Sequence, residues 1–560
     1  SKYIYGQFIE HLGRCIYGGI WAEKVDDRKF YHPVGAGPSP WEAMDAGEVA
    51  MTEERPYVGQ HSPLITAGDG SEGAGIRQTG LGLEKGKSYD GRIILRGEPS
   101  AAPVTVTLAW GENEADAETI TIERLTAHYV QRKLEFTAGA DADDGALNIA
   151  APGNGELQVG TLSLMPDDNI NGMRADTLEL LLQLDAPAYR WPGGNFVSGY
   201  DWRDGIGNRD RRPPRKNPAW QGIDSNDFGI DEFMAFCRYV EAEPIVVVNS
   251  GFGDAHSAAE EVQYVNGAPD TPMGRLRAQN GHPEPYDVTW WGIGNEMYGD
   301  WQLGHMQLDQ YVRKHNRFAR SMRQVDPDIK LVGVGNVGDW SEGMLKNCAS
   351  TMDMLSEHFY LNSKEDVAAH VQQMPDKIRS ICQAHREYRQ NIDALQNRDM
   401  PITVDEWNYW GERPSPFGEI GIRYYLKDAL GVAAGLHEFF RNSDLVKMTN
   451  YAQTVNVLGA IKTSKTDACF APTGLVLKLY RQHYGELPVE ASTGAQDVHV
   501  AAARSKDGST LTVSVVNATE RDVDLDTELS GTALTGRGHR WTITGPSAMA
   551  YNVPGGQQDV

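Results

Sequence analysis

Two glutamates in this chain end short apolar runs: Glu296 closes VTWWGIGNE (288–296) and Glu406 closes ITVDE (402–406). Each run reads as a buried strand that delivers a carboxylate at its C-terminal tip. In a barrel of parallel strands ringed by helices, catalytic side chains collect at that tip, because the loops there vary while the core stays packed. Two carboxylates on one such face fit glycoside hydrolysis, in which one protonates the leaving oxygen and the other stands across the sugar from it. Asn295, directly before Glu296, is placed to bond a hydroxyl beside the reacting carbon, a contact that strengthens as positive charge develops there. Other strand ends add polar groups: Glu10 and His11 follow the first, Arg190 and Asn195 flank the second, His358 and Tyr360 end the sixth, and Gln453 ends the eighth. Converging carboxylate, amide, guanidinium and hydroxyl groups suit a polyhydroxylated ligand.

The elements that must position these residues alternate between strand-like and helix-like patterns, the signature of a parallel α/β fold. The strand candidates are YIYGQFIE (3–10), AYRWPGG (188–194), PIVVVNSG (244–251), VTWWGIGNE (288–296), IKLVGVG (329–335), MLSEHFY (354–360), ITVDEW (402–407) and LVKMTNYAQ (445–453). Eight such strands close a (β/α)8 TIM barrel. Between them, DTLELLLQL (176–184), IDEFMAFCRYVEA (230–242), LDQYVRKHNRFARSMRQV (308–325) and YYLKDALGVAAGLHEFFRN (424–442) carry apolar residues at helical spacing. Asp326–Pro327 and Arg413–Pro414 mark breaks.

The alternation fails twice. Residues 34–168 open with a Gly-, Pro- and acid-rich loop and then give period-2 runs such as YDGRIILRG (89–97), VTVTLAW (104–110) and LQVGTLSLMP (157–166), which predict an inserted β-sandwich of jelly-roll type. After the helix-like TGLVLKLYRQHYG (473–485), the runs VHVAAARS (498–505) and LTVSVVNATE (511–520) predict a C-terminal β-sandwich. The expected domains are therefore a barrel over 1–33 and 169–480, the insert over 34–168, and the C-terminal sandwich over 481–560.

A formal charge of −25 repels phosphate backbones and anionic lipid, which sets nucleic-acid and membrane-surface binding aside. No run approaches the roughly 18 apolar residues of a membrane span. The N-terminus, SKYIYGQFIEH, lacks the basic-then-apolar profile of a signal peptide; a removed signal is compatible with it, and a secreted or periplasmic location is the expectation. The five cysteines are far apart and lack any CxxC spacing, so buried, inert thiols are expected. Neither HExxH, a Cys/His cluster nor an EF-hand loop is present, so no metal and no cofactor is called for. The acidic loop at Asp69 and Glu72 offers calcium ligands but reads as a solvated turn. GVGNVG (333–338) has dinucleotide-site spacing, yet it follows the fifth strand of a barrel series, not the first strand of a Rossmann unit.

The motifs FIEHLGRCIYGGIW (8–21), RWPGGNFVSGYDWRDGIG (190–207), GIGNEMYGDWQLGH (292–305), VDEWNYW (404–410) and AQTVNVLGAI (452–461), in that order, resemble glycoside hydrolase family 51, whose best-known members are α-L-arabinofuranosidases. The resemblance covers roughly 1–33 and 169–480 and continues more loosely into the C-terminal region. It implies that Glu296 is the general acid/base and Glu406 the nucleophile of a retaining mechanism acting on arabinose-containing plant polysaccharide or oligosaccharide. It further implies that Glu10, Asn195, Asn295 and Gln453 hold the furanose hydroxyls, that Arg190 and Tyr360 sit beside the nucleophile, and that Trp410 and Trp202 wall the pocket. In such a site the carboxylates lie about 5–5.5 Å apart, Glu406 beside Arg190 stays ionised, and Glu296 needs an elevated pKa. The insert is absent from the simplest members of the family, and its β pattern resembles a carbohydrate-binding module of the galactose-binding-like type. Such a sandwich can equally shape the cleft or stabilise a homo-oligomer. An endo-glucanase or xylanase, a β-D-galactofuranosidase and a non-catalytic carbohydrate-binding protein stand as the alternatives.

Overall fold

The computed structural model describes all 560 residues except 45–47, 68–72, 412–419, 520, 532 and 535. The Asp69/Glu72 loop and the Arg413–Pro414 break lie outside the described residues. Eight short strands close a parallel barrel in chain order: β1 (Gly6–Phe8), β2 (Ala188–Trp191), β3 (Glu243–Val248), β4 (Trp290–Ile293), β5 (Lys330–Gly333), β6 (Met354–Leu361), β7 (Ile402–Tyr409) and β8 (Val446–Ala452). Closure is made by β8 lying parallel to β1, with Gly6 opposite Asn450 and Phe8 opposite Ala452. All eight coincide with the apolar runs of the sequence. They are buried on both faces, as a strand must be when side chains fill the barrel and helices cover its outside; β7 is buried at every position.

Helices such as Ile230–Tyr239, Leu308–Val325, Val367–Asn391 and Leu426–Arg441 ring the barrel. Leu308–Val325 shows why they form: Tyr311, His315, Phe318, Ala319 and Met322 are buried on one stripe and the remaining positions are largely polar, the pattern of a surface helix with one core-facing side.

Between β1 and β2, strands from Trp41 to Pro166 form two five-stranded antiparallel sheets. Their apolar faces enclose a core of their own, including Trp41, Ile65, Ile76, Leu95, Val106, Phe136, Leu147 and Leu164, separate from the cluster around the barrel. A three-stranded antiparallel sheet, Leu487–Val489, Val498–Arg504 and Leu511–Asn517, follows the helix Pro472–His483. The five cysteines are free and buried. Among the described residues no helix is long and apolar enough to cross a membrane.

Candidate active site

Arg190, at the tip of β2 and 1% exposed, organises the mouth of the barrel. Its Nη1 donates to Glu406 Oε1 at 2.8 Å and its Nη2 to Asn295 Oδ1 at 2.6 Å, while Nε lies 3.4 Å from Asp405 Oδ2. The Phe8 ring lies beneath the guanidinium at 4.5 Å. Burial works against the Arg190 charge, but Asp405 and Glu406 outweigh it and raise its pKa. The other oxygen of Glu406 accepts from Tyr360 OH at 2.7 Å. Both oxygens are thus held by donors in one orientation, and a positioned nucleophile needs this.

Alternation along a strand would send Asp405 and Glu406 to opposite faces, yet both touch Arg190. The register of β7 shifts against β6 between Ser356 and His358, and against β8 between Val404 and Trp407. That irregularity re-aims two successive side chains into one site, the usual work of a bulge.

Glu296 comes from the next turn of the mouth. Gly294 (φ 83°) and Glu296 itself (φ 42°) take left-handed backbone, which brings Asn295 and Glu296 back over the barrel. A Cβ at Gly294 would lie 1.8 Å from Ser250 Oγ, so only glycine fits this turn. The Glu296 carboxylate accepts from Trp301 Nε1 at 2.6 Å and Tyr298 OH at 3.3 Å, and meets His358 Nδ1 at 3.0 Å. His358 Nε2 lies 2.9 Å from Asp405 Oδ1. An imidazole with a carboxylate at each nitrogen bonds both only if it is doubly protonated or one acid supplies the proton. Burial opposes charge on His358, but Glu406 and Asp405 raise its pKa well above the ordinary value. Burial likewise works to raise Glu296, and the hydrogen bond and charge of His358 outweigh it, leaving Glu296 below the usual carboxylate range. The elevated Glu296 expected from the sequence is therefore not what its surroundings favour: burial alone would raise it, and the His358 contact draws it down.

One carboxylate oxygen of Glu296, one of Glu406 and a ring nitrogen of His358 all lie within 4.8 Å of one another. That spacing would also admit a cation. The contacts seen are a carboxylate oxygen of Glu296 on His358 Nδ1 at 3.0 Å and one of Glu406 3.7 Å from the same nitrogen.

Glu10, just past β1, closes the opposite side. Its Oε1 accepts from Phe196 N at 3.1 Å and Trp220 Nε1 at 2.9 Å, and its Oε2 from Gln453 Nε2 at 2.8 Å. Burial, then the nearby Glu406 charge, pushes its pKa up to about 7. Asn195 opens the short helix Asn195–Gly199 beside Phe196 and is half-buried. Trp410 is 37% exposed at the rim, edge-on to Tyr360 at 5.1 Å. Eight of the nine substrate-binding residues named from the sequence thus lie at the C-terminal mouth of the barrel.

The ninth is corrected. Trp202 is 3% exposed, its Nε1 donates to Ser257 O at 3.3 Å, and its ring packs on Tyr264 at 5.3 Å; it belongs to the packing against the helix Ala255–Asn266. The tryptophan that reaches Glu10 on that side is Trp220, whose Nε1 donates to its Oε1 at 2.9 Å, from a segment with no strand or helix period to mark it. Trp301, Tyr298 and Asp405 are the other residues the sequence reading passed over. Trp301 stands five residues after Glu296 within GIGNEMYGDWQLGH, and that proximity in sequence marks it. Trp202→Phe is expected to leave the KM of a small glycoside within about twofold, while Trp220→Phe, which deprives Glu10 of a donor, raises it about tenfold. Michaelis kinetics of the two variants side by side check this, and the reverse ranking would restore Trp202 to the pocket.

Residues 180–380 match the family model described as the alpha-L-arabinofuranosidase 1 domain, and residues 405–560 the alpha-L-arabinofuranosidase C-terminal domain. A probable α-L-arabinofuranosidase C of Aspergillus clavatus is 32% identical over 430 residues, covering 70% of this chain and 84% of its own. An intracellular exo-α-(1→5)-L-arabinofuranosidase of Streptomyces lividans is 31% identical over 405 residues, 66% of this chain and 61% of its own. Among solved structures, the arabinose complex of α-L-arabinofuranosidase from Thermotoga maritima superposes with a TM-score of 0.57 at 36% identity, covering 62% of this chain and 76% of its own.

Proposed function

Since the chain belongs to the α-L-arabinofuranosidases of glycoside hydrolase family 51, we propose that it removes terminal α-L-arabinofuranosyl groups from arabinan- or arabinoxylan-type chains by a retaining double displacement. The observation that carries this reading is that a carboxylate oxygen of Glu296 and one of Glu406 lie within 4.8 Å of each other, which supports the short carboxyl spacing of retaining enzymes over the wider gap of inverting ones.

In the first step a lone pair of the Glu406 carboxylate attacks the anomeric carbon as the glycosidic C–O bond breaks, and Glu296 gives its proton to the departing oxygen. Arg190 and Tyr360 orient Glu406 for this attack. The proton reaches Glu296 from His358, 3.0 Å away: the pair carries one proton between them, and substrate that expels water from the site favours the neutral acid facing the leaving group. The pair's net charge is unchanged by that shift. In the second step Glu296, now a carboxylate, takes a proton from water, whose oxygen attacks the anomeric carbon and releases Glu406.

Removal of one terminal sugar is supported by enclosure. Glu10, Arg190, Asn295 and Gln453 are each no more than 2% exposed, a depth suited to a single ring and not to a length of polymer. The buried Gln453 Oε1 has no protein donor among the described residues and offers an acceptor to a sugar hydroxyl.

The test is proton NMR of the first-formed sugar from an aryl α-L-arabinofuranoside, with β-D-galactofuranoside and β-D-glucoside as competing substrates. The α-hemiacetal is expected first, with the arabinofuranoside preferred. The β-anomer appearing first would exclude double displacement, and turnover of the glucoside alone would exclude the substrate.

A further inference from the structure

The inserted sandwich meets the barrel over residues 207–227, the segment that carries Trp220. Arg92, on the sandwich strand Ser88–Gly97, grips Asp210 with both ends of its guanidinium, Nε to Oδ2 at 2.6 Å and Nη2 to Oδ1 at 2.7 Å. Arg28, in the connection from β1 to the sandwich, donates to Asp210 at 2.8 Å and grips Asp227 the same way at 2.6 and 2.5 Å. The sandwich strand Gly155–Pro166 fixes Arg28 in turn, through Leu162 O at 3.0 Å and Thr161 Oγ1 at 3.2 Å. Lys29 lies 2.8 Å from Asp227 and donates to the carbonyls of Arg212 and Ser225. Arg211 stacks on Tyr57 of the insert at 3.5 Å. Arg28, Lys29, Asp210 and Asp227 are at most 5% exposed.

Buried ion pairs contribute little net stability, because desolvation offsets their attraction, but their bidentate geometry fixes position. The position fixed here ends at the sugar pocket. Residues Arg215–Lys216 and Ile223–Asp224 pair as a hairpin. Asn217, within it, donates to His11 O at 2.7 Å and accepts from Trp220 N at 2.8 Å. At the other side of the hairpin Asp224 meets His11 Nδ1 at 2.6 Å and Tyr17 OH at 2.7 Å. Trp220, at the tip, then donates to Glu10. A sandwich that served only to hold polymer would need no buried ionic clasp on a segment that shapes the pocket.

We propose that the inserted sandwich braces the Trp220 segment, with Arg92 as a positioning residue for recognition of the terminal sugar. The inference rests on the arabinofuranosidase reading above. It concerns only how the pocket is held, so wild-type turnover of a small arabinofuranoside reports on that reading while the ratio of variant to wild type reports on the brace.

The experiment compares wild type, Arg92→Met and Arg92→Lys on a chromogenic α-L-arabinofuranoside and on arabinan, with thermal melting alongside. Asp210 keeps Arg28 in both variants, so the clasp loosens without an uncompensated buried charge. For Arg92→Met the KM of the small substrate is expected to rise about tenfold with kcat within about threefold, because displacing a pocket wall weakens sugar binding without removing a reacting group. Arg92→Lys keeps the charge but not the fork and is expected to fall between. An unchanged small-substrate KM overturns the brace, whether the melting temperature falls, which would make the contact merely structural, or the KM for arabinan alone rises, which would make the insert a polymer-holding module. If Arg92→Met does not fold, the same KM comparison on Arg92→Lys decides.

Discussion

Glu406→Gln is expected to lower kcat on an aryl α-L-arabinofuranoside by about 10⁴-fold or more, about 5.4 kcal/mol of lost transition-state stabilisation. Two effects combine. The neutral amide oxygen is a weak nucleophile and would give a cationic imidate in place of the glycosyl ester, so the covalent route closes. It also disrupts its own surroundings: Arg190 Nη1 and Tyr360 OH donate to the two oxygens of Glu406, and an amide answers only one of them with an oxygen while turning N–H toward the other. Arg190 keeps Asp405 and Asn295 as partners, so the variant folds and the loss is one of chemistry. Stopped assays on repurified protein, with the melting curve beside them, measure both. Residual kcat above about a tenth of wild type would mean that Glu406 is not the nucleophile and that the double displacement fails with it.

Much of this site was legible because barrel strands are short, apolar and end in polar residues. The strand runs located β1 to β8, and their last residues named Glu10, Arg190, Asn295, Glu296, His358, Tyr360, Glu406 and Gln453. Reading failed where position depends on something other than strand period. Asp405 was hidden by the alternation rule, since only the register shifts around β7 turn it inward beside Glu406. Trp220 sits in a segment whose shape is set by long-range ion pairs to the insert, and no local pattern encodes a contact between Arg92 and Asp210 separated by 118 residues. Trp202 misled for the same reason: its motif places it near the mouth, but its indole is drawn to Ser257 on the neighbouring helix. The proton balance was out of reach as well. A raised Glu296 follows from burial alone, and what reverses it is His358, set between Glu296 and Asp405 by the pairing of β6 with β7.

Glu296→Ala is expected to separate the two steps. With an aryl leaving group that departs without a proton, formation of the glycosyl-enzyme changes little, whereas its hydrolysis loses the base. Turnover should then fall by about 10²- to 10⁴-fold, the usual contribution of general acid/base catalysis. The covalent intermediate accumulates, so KM falls with kcat and a burst of aryl alcohol precedes the steady state. Azide needs no base and should restore turnover, giving an α-arabinofuranosyl azide. Arabino-oligosaccharides, whose leaving alkoxide needs the acid, should lose the full factor in kcat/KM and gain nothing from azide. The substitution is clean at the backbone, since alanine and glutamate share the Cβ and the same strain at φ 42°. It leaves Trp301, Tyr298 and His358 without their acceptor, but the small cavity opened beside Trp301 is what admits the azide. Equal losses on aryl and oligosaccharide substrates, with no rescue, would reduce Glu296 to an orienting charge and leave the proton on His358 as the acid of the first step.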